Sequence, residues 1–448
     1  MTPTTIPTSA PEPDPVDDPD SDSVLFDLAD FDIEVTLRPT SAPTPPSGYD
    51  GFHTVVPLDD GSLMASGFDD AGDVTQPERS ALWRSDDGST WERIGVSDVS
   101  SQPDQQVINS LVVGDDSVRA YGVWLDSTGP TISSVAIGRW TTIDGGDNWV
   151  GSSTVDFATA RRAALIDGRY VTVGAGDVNG AGTFYGLVTN EASDQSLQSV
   201  AVDVNETGDP VPGSDVYDLL VRPDEWLAVG STTLSDPGQT GLESYFDAET
   251  LGFPSDVAVW SSTDAGGTWE RLEIERFSGE GGTQAAVQIA DDGERRWMLV
   301  TAQKFGVFAL DLLTSTDGRS WDLHPYRRPT EPSTGDVANA RGVYFVEGAI
   351  VVIDEIVTGF EPSLVMSVID PATDEIVSHD LTERLGGVHQ IEDLVQLDDL
   401  ALGVGRVERG PSESDLQTIE VRRIQPDEAP PEPVPSTTTA PSGGSSDA

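Results

Sequence analysis

The chain has no cysteine, one lysine (Lys304), four histidines and no apolar run of membrane-spanning length. The missing cysteine excludes disulfides, thiolate metal sites and a cysteine nucleophile. His53, His324, His379 and His389 lie too far apart for the short ligand spacings of a zinc site, so no metal and no cofactor are expected. A membrane span needs roughly 20 consecutive apolar residues, so no membrane insertion is expected either. Positive charge is scarce: 24 basic against 78 acidic side chains give a net charge of −54 over 448 residues. Such a field repels phosphate backbones and anionic lipid, which argues against nucleic acid as a partner. Long apolar stripes of 3.6-residue period are also missing, so helices are not predicted.

Both ends are rich in Thr, Pro and acidic residues and poor in apolar ones. Residues 1–24 and 426–448 therefore read as disordered, solvated tails around a folded region at 25–425. No basic or apolar signal region follows Met1. Even so, Thr/Pro tails, absent cysteine and high acidity together resemble the stalk of an exported bacterial protein. An extracellular or cell-surface location is expected, with an export signal or lipoprotein leader upstream of this numbering.

Inside 25–425 one unit recurs: a short apolar strand, an acidic or Gly turn, and a second strand that often ends in Gly. Copies begin at Phe52, Val107, Ala158, Val216, Ala285, Ala338 and Val388, at offsets of 55, 51, 58, 69, 53 and 50 residues. That period suits a four-stranded antiparallel sheet with ordinary loops. Asp60-Gly61, Asp167-Gly168 and Asp292-Gly293 supply the backbone freedom that tight hairpins require. The last unit runs into the tail one strand short. The alternating segment Phe31–Arg38 is predicted to complete it by pairing with the C-terminal strand, which would remove two exposed edges.

A second motif follows in several units. It reads Ser85-Asp86-Asp87-Gly88-Ser89-Thr90-Trp91, and again at Thr142–Trp149, Ser262–Trp269 and Ser315–Trp321. An Asp in such a turn accepts backbone N–H groups, a Ser or Thr hydroxyl assists, and Gly takes the left-handed position. These segments resemble the Asp-boxes, or BNR repeats, of sialidase-like β-propellers. The copy at Ser262 fits the family pattern S-x-D-x-G-x-T-W in full, while those at Ser85 and Ser315 lack one residue between Asp and Gly. Asp194 and Asp370 stand near the expected places in two units without a clear box. The resemblance implies an all-β fold: a seven-bladed β-propeller of four-stranded antiparallel blades, with six blades as the alternative. It also implies a structural role for Asp87, Asp144, Asp264 and Asp317.

The same resemblance places ligands on the rim opposite the Asp-boxes, in loops 67–80, 124–134, 174–184 and 231–257. A sialidase-type site would need an arginine clamp for a carboxylate and a tyrosine nucleophile beside a glutamate. Arg161, Arg162 and Arg341 at the starts of inner strands, with Glu243 and Tyr245 in the longest loop, are the catalytic candidates. Trp124 and Arg79 are the candidates for ligand binding. The family's early Arg-Ile-Pro motif is absent, since Arg38 is followed by Pro39-Thr40. Two functions follow. The first is an exported, non-catalytic binding or scaffolding propeller, monomeric, with a glycan, peptide or protein as partner. The second is a sialidase-like glycoside hydrolase.

Overall fold

The apolar repeats fold into strands throughout, and no helix occurs among the described residues. The structure, a computed structural model, describes residues 23–29, 31–38, 40, 49–70, 79–94, 106–114, 117–126, 134–156, 158–177, 184–191, 197–233, 255–274, 283–304, 307–326, 337–358, 361–382, 384–385, 390–398, 400–410 and 413–424. The tails lie outside them except for Ser23 and Val24, which belong to a strand rather than to a disordered segment.

Two strands, β1 (Ser23–Asp27) and β2 (Asp32–Arg38), open the chain. The first unit is β3 (Tyr49–Pro57), β4 (Leu63–Asp70), β5 (Arg79–Ser85) and β6 (Glu92–Ile94). The second is β7 (Gln106–Gly114), β8 (Ser117–Asp126), β9 (Ser134–Thr142) and β10 (Val150–Asp156). The third is β11 (Ala158–Ile166), β12 (Arg169–Asp177), β13 (Phe184–Glu191) and β14 (Leu197–Ala201). The fourth is β15 (Ser214–Val221), β16 (Trp226–Thr233), β17 (Ser255–Ser262) and β18 (Glu270–Leu272). The fifth is β19 (Thr283–Asp291), β20 (Arg296–Lys304), β21 (Val307–Ser315) and β22 (Asp322–Leu323). The sixth is β23 (Val337–Val346), β24 (Ala349–Thr358), β25 (Glu361–Ile369) and β26 (Ile376–Asp380). The last has β27 (Gln390–Gln396), β28 (Ala401–Gly410) and β29 (Glu413–Ile424).

Within each unit, consecutive strands pair antiparallel. The last unit gains its fourth strand from β2, which pairs antiparallel with β29 from Asp32↔Ile424 to Arg38↔Thr418, as its alternating pattern predicts. Outside β2 lies β1, a fifth strand that the sequence reading did not foresee. Single parallel bridges, Ser414↔Tyr49 and Ser255↔Thr283, join neighbouring units edgewise. First strands pack in order: β3 on β7, β7 on β11, β11 on β15, β15 on β19, β19 on β23, β23 on β27, and β27 on β3. These four-stranded antiparallel sheets are propeller-like.

Each first strand bulges at the same place. The register shifts between Phe52 and Thr54, Ile108 and Ser110, Ala160 and Arg162, and Val216 and Asp218. It does so again between Ala286 and Gln288, Ala340 and Gly342, and Ile391 and Asp393. A bulge sets two residues of one strand against one of its partner and redirects a side chain. Here the carbonyl two residues before the bulged one presses on the second strand. A Cβ added to Gly122 would lie 1.8 Å from Val107 O, and one at Gly174 would lie 2.0 Å from Thr159 O. Gly230 and Gly405 meet Asp215 O and Gln390 O in the same way, at 2.0 Å. The recurring Gly of the second strand therefore makes room for a neighbouring carbonyl.

The residue after the bulge reaches the next unit. Ser110 Oγ accepts from Ala163 N (3.0 Å), Asp218 Oδ2 from Ile289 N (3.0 Å) and Gln288 Oε1 from Val343 N (3.2 Å). Asp393 Oδ2 accepts from Val55 N (3.2 Å), linking the last unit to the first.

Apolar clusters fill the space between sheets. One joins Met64 and Leu82 of the first unit to Ile108 and Trp140 of the second. Another joins Phe26 and Ile33 of β1 and β2 to Val351, Met366, Ile391 and Ile419. Trp83, Trp140, Trp226, Trp260 and Trp297 are buried. At ~25 cal/mol per Å² and 150–250 Å² per ring, each contributes about 4–6 kcal/mol of burial.

Candidate functional site

The Asp turns lie between third and fourth strands, at the end of the sheets that also carries the first-to-second-strand hairpins. Asp87 Oδ1 accepts from Ser89 N and Thr90 N, both at 2.7 Å. Asp317 Oδ1 accepts from Arg319 N (2.8 Å) and Ser320 N (2.7 Å), Asp264 Oδ1 from Thr268 N (2.8 Å), and Asp144 Oδ1 from Asn148 N (2.9 Å). Ser85, Thr142, Ser262 and Ser315 each donate their hydroxyl to the same carboxylate. These bonds favour the charged form. The Thr142 hydroxyl and Asn148 hold the Asp144 carboxyl at about 2, and the Ser320 and Arg319 amides hold that of Asp317 at about 2. Asp370 builds a related turn, accepting from Ala372 N (2.8 Å) and the Thr373 hydroxyl (2.7 Å). Asp194 lies outside the described residues. The indole N–H groups of Trp91, Trp149 and Trp321 donate to Gly88, Gly146 and Gly318 carbonyls. That of Trp269 has no acceptor among the described residues.

Toward the other end, the first strands carry the charged cluster. The bulged residues include Arg161, Tyr217, Arg341 and Glu392, which follow the core positions Ala160, Val216, Ala340 and Ile391. Arg161 Nε and Nη2 donate to Asp215 Oδ1 and Oδ2 (3.3 and 2.6 Å), and its guanidinium lies 4.7 Å from the Tyr217 ring centroid. Arg162 stands 3.4 Å from Asp218 and 3.8 Å from Asp393. Arg341 donates to Glu355 and, at 3.2 Å, to Glu392 Oε1. Asn339 and Gln390 donate to Glu355 as well, both at 3.1 Å.

These pairings set the protonation states. Asp218 holds Arg162 firmly charged, outweighing burial. Burial in turn raises the Asp218 carboxyl in spite of Arg162 and the Ile289 amide. Burial also pushes Glu355 up, but Arg341, Asn339 and Gln390 outweigh it and keep the carboxyl below its ordinary value. The Tyr217 phenol is raised, first by burial and then by Asp215. Tyr344, also buried, is raised too.

Of the arginines singled out in the sequence, Arg162 and Arg341 reach adjacent carboxylates on β27, Asp393 and Glu392, while Arg161 is tied to Asp215. Glu243 and Tyr245 lie outside the described residues. Arg79 and Trp124 belong to β5 and β8, but their side chains lie outside the described ones. Sequence reasoning missed Tyr217, Glu355, Glu392 and Asp393. Aligning the seven repeats on the apolar residue before each bulge would have drawn attention to Tyr217 and Glu392. No group of three or more His, Asp or Glu arranged to hold a metal ion occurs among the described residues.

A cavity of about 580 Å³ lies at the Asp-turn end, between the third and fourth units. It is formed by the β11–β12 and β15–β16 hairpins and the Asp264 turn. The loops expected to shape a site at the other end fall largely outside the described residues.

No family model matches the chain, and no curated protein matches it in sequence. Among solved structures, a protein of unknown function from Dyadobacter fermentans is similar at 12% identity and a TM-score of 0.45, covering 87% of this chain and 97% of that one. The phage phi92 endosialidase is similar at 10% identity and TM-score 0.47, over 92% of this chain and 72% of that one. The Trypanosoma rangeli sialidase is similar at 13% identity and TM-score 0.43, over 78% of this chain and 56% of that one.

Proposed function

We propose that the protein is an exported, non-catalytic binding or scaffolding propeller of seven blades. Its ligand, a glycan or a protein segment, would sit over the channel at the end away from the Asp turns. Seven blades in a closed ring are supported by the cyclic packing of the first strands and by the recurring bond from each bulge to the next unit. Export is proposed from the Thr/Pro-rich, acidic composition of residues 1–24 and 426–448.

The observation that carries the binding reading is mutual neutralisation. Arg161, Arg162 and Arg341 each face carboxylates of this chain. An incoming substrate carboxylate would have to displace those partners. The described tyrosines beside the cluster, Tyr217 and Tyr344, have phenols shifted away from ionisation, which opposes a nucleophilic role. Half-buried, satisfied polar groups of this kind suit recognition of hydroxyl and amide groups.

Arrays of glycans and of peptides test the proposal. Saturable binding is expected, weakened about tenfold by Arg341→Ala, which is roughly 1.4 kcal/mol. Binding that is unchanged in this variant, or absent from both arrays, would refute it.

A further inference from the structure

We infer that Asn205 is an acceptor site for an N-linked glycan, presented on an arm between the third and fourth units. Of the six asparagines in the chain only Asn205 is followed, two residues on, by Ser or Thr. The run is Asn205-Glu206-Thr207, with no proline between, which is the acceptor pattern for this modification. Residues 202–211 form the arm that leads from β14 toward β15, at the end away from the Asp turns. Val204 bridges Pro210, and Val211 N donates to Asp203 O at 2.9 Å, which closes the arm on itself. Asp203 fixes its base: Oδ2 accepts from the Ser214 hydroxyl at 2.5 Å and Oδ1 from the Trp260 indole N–H at 3.0 Å. Every residue from Val204 to Pro210 is exposed, so the tip is open to an enzyme.

The atom that must react is Nδ2. Asn109, Asn148 and Asn339 donate theirs to Ala160 O, Asp144 Oδ2 and Glu355 Oε2, at 2.7, 2.7 and 3.1 Å. In Asn205 the bonds fall on the oxygen instead. Its Oδ1 accepts from Thr207 N at 2.9 Å and from Asp209 N at 3.0 Å. The Thr207 hydroxyl lies 2.6 Å from the same oxygen and 2.7 Å from Asp209 Oδ2, with one hydrogen to share. The Asn205 Nδ2 has no hydrogen-bond partner among the described residues. An amide nitrogen is a poor nucleophile because its lone pair is shared with the carbonyl. Donors on the oxygen favour the form that has lost a proton, and they hold the amide plane in one orientation. The co-substrate is an oligosaccharide on a polyprenyl diphosphate. On transfer the bond from Nδ2 to the sugar C1 forms as the C1–O bond to the diphosphate breaks. The polyprenyl diphosphate leaves, and one Nδ2 proton passes to a carboxylate of the transferase.

Modification in the cell rests on the export proposed above, since such donors are consumed on the far side of an export membrane. The acceptor itself is tested apart from export. Purified, folded full-length chain is mixed with a single-subunit oligosaccharyltransferase and its polyprenyl-diphosphate oligosaccharide, and a flexible sequon peptide serves as the reaction control. The intact mass should rise by one oligosaccharide, and peptide mapping should place it on Asn205. The variant Asn205→Gln should gain none. Thr207→Ala should react slower by about tenfold or more, the cost of one lost hydrogen bond. Thr207→Ser keeps the hydroxyl and should stay close to the wild type. A wild-type chain left unmodified while the peptide reacts, a sugar on any other residue, or an unchanged rate in Thr207→Ala would overturn the inference. A chain modified in this assay but found in the cytoplasm of its own cell would overturn export and leave the acceptor standing.

Discussion

Asp393 in the last unit accepts a hydrogen bond from the backbone amide of Val55 in the first, at 3.2 Å. The same carboxylate takes the Thr54 hydroxyl at 2.7 Å and its neighbouring Leu394 amide at 3.0 Å. Ser110 with Ala163, Asp218 with Ile289, and Gln288 with Val343 repeat this contact between other neighbours. It is therefore a general device of the fold, used also where the first and last units meet. Asp393→Leu strands two backbone amides and a hydroxyl in a buried place. A loss of about 2–4 kcal/mol is expected, since hydrogen bonds to charged groups carry about 1.5–3 kcal/mol each. Chemical denaturation measures it, and a change under 0.5 kcal/mol would contradict the role.

Gly122→Ala places a Cβ 1.8 Å from the Val107 carbonyl oxygen. The obstacle is backbone, so no side-chain rotation relieves it, and the bulge must straighten or the sheets must part. A loss of about 1–3 kcal/mol or more follows from overpacking. Gly174→Ala and Gly405→Ala should behave alike, because the same carbonyl faces each at 2.0 Å. Thermal unfolding of the three variants is the check.

Acid should loosen the Asp turns. Asp144 and Asp317 are held at about 2 by the hydroxyl and amide groups around them, and Asp87 and Asp264 are lowered in the same sense. A carboxyl lowered by folding stabilises above its unfolded pKa, about 3.9, and that stabilisation fades as pH falls through the folded value. Stability should therefore drop between about pH 4 and pH 2. In Asp317→Asn the drop should be shallower, read by unfolding midpoints at several pH values.

His324 adds a pH dependence nearer neutrality. It is 4% exposed, its ring lies 5.1 Å from that of Trp297, and burial lowers its pKa, with Asp374 opposing. The unfolded chain takes up a proton near pH 6.5 while the folded one resists, so stability falls as pH drops from about 6.5 toward the folded value. Burial, helped by Arg384 and opposed by the bond to Leu25 O, lowers His379 as well, which adds to the same trend. His324→Phe keeps the ring and removes the proton site. Its unfolding midpoint should change less between pH 7 and pH 5.5 than that of the wild type.

Strands and turns were legible in the sequence because their signals are local. Alternation in Asp32–Arg38 marks a strand with one buried face, and Ser262–Trp269 carries every group its turn needs. The charged cluster was only half legible. Arg161, Arg162 and Arg341 stand out as rare cations, yet their partners Asp215, Asp218, Glu355, Glu392 and Asp393 are a few among 78 acidic residues. What selects them is the bulge, a shift in backbone pairing that has no compositional mark of its own. The glycine opposite it is its trace, visible at Gly122, Gly174, Gly230 and Gly405 but replaced by Val300 and Asp354 in the fifth and sixth units. The cavity between the third and fourth units was not legible at all, since it arises where three separate loops meet.

The central claim is that Arg161, Arg162 and Arg341 on the bulged first strands are committed to carboxylates of this chain. Turnover of a panel of fluorogenic glycosides, sialosides included, tests it most directly on the folded wild-type protein. The account predicts no release of fluorophore above the uncatalysed rate at any pH between 4 and 8. Turnover that disappears in Arg161→Ala or Tyr217→Phe would contradict it and place a working active site on the bulged first strands.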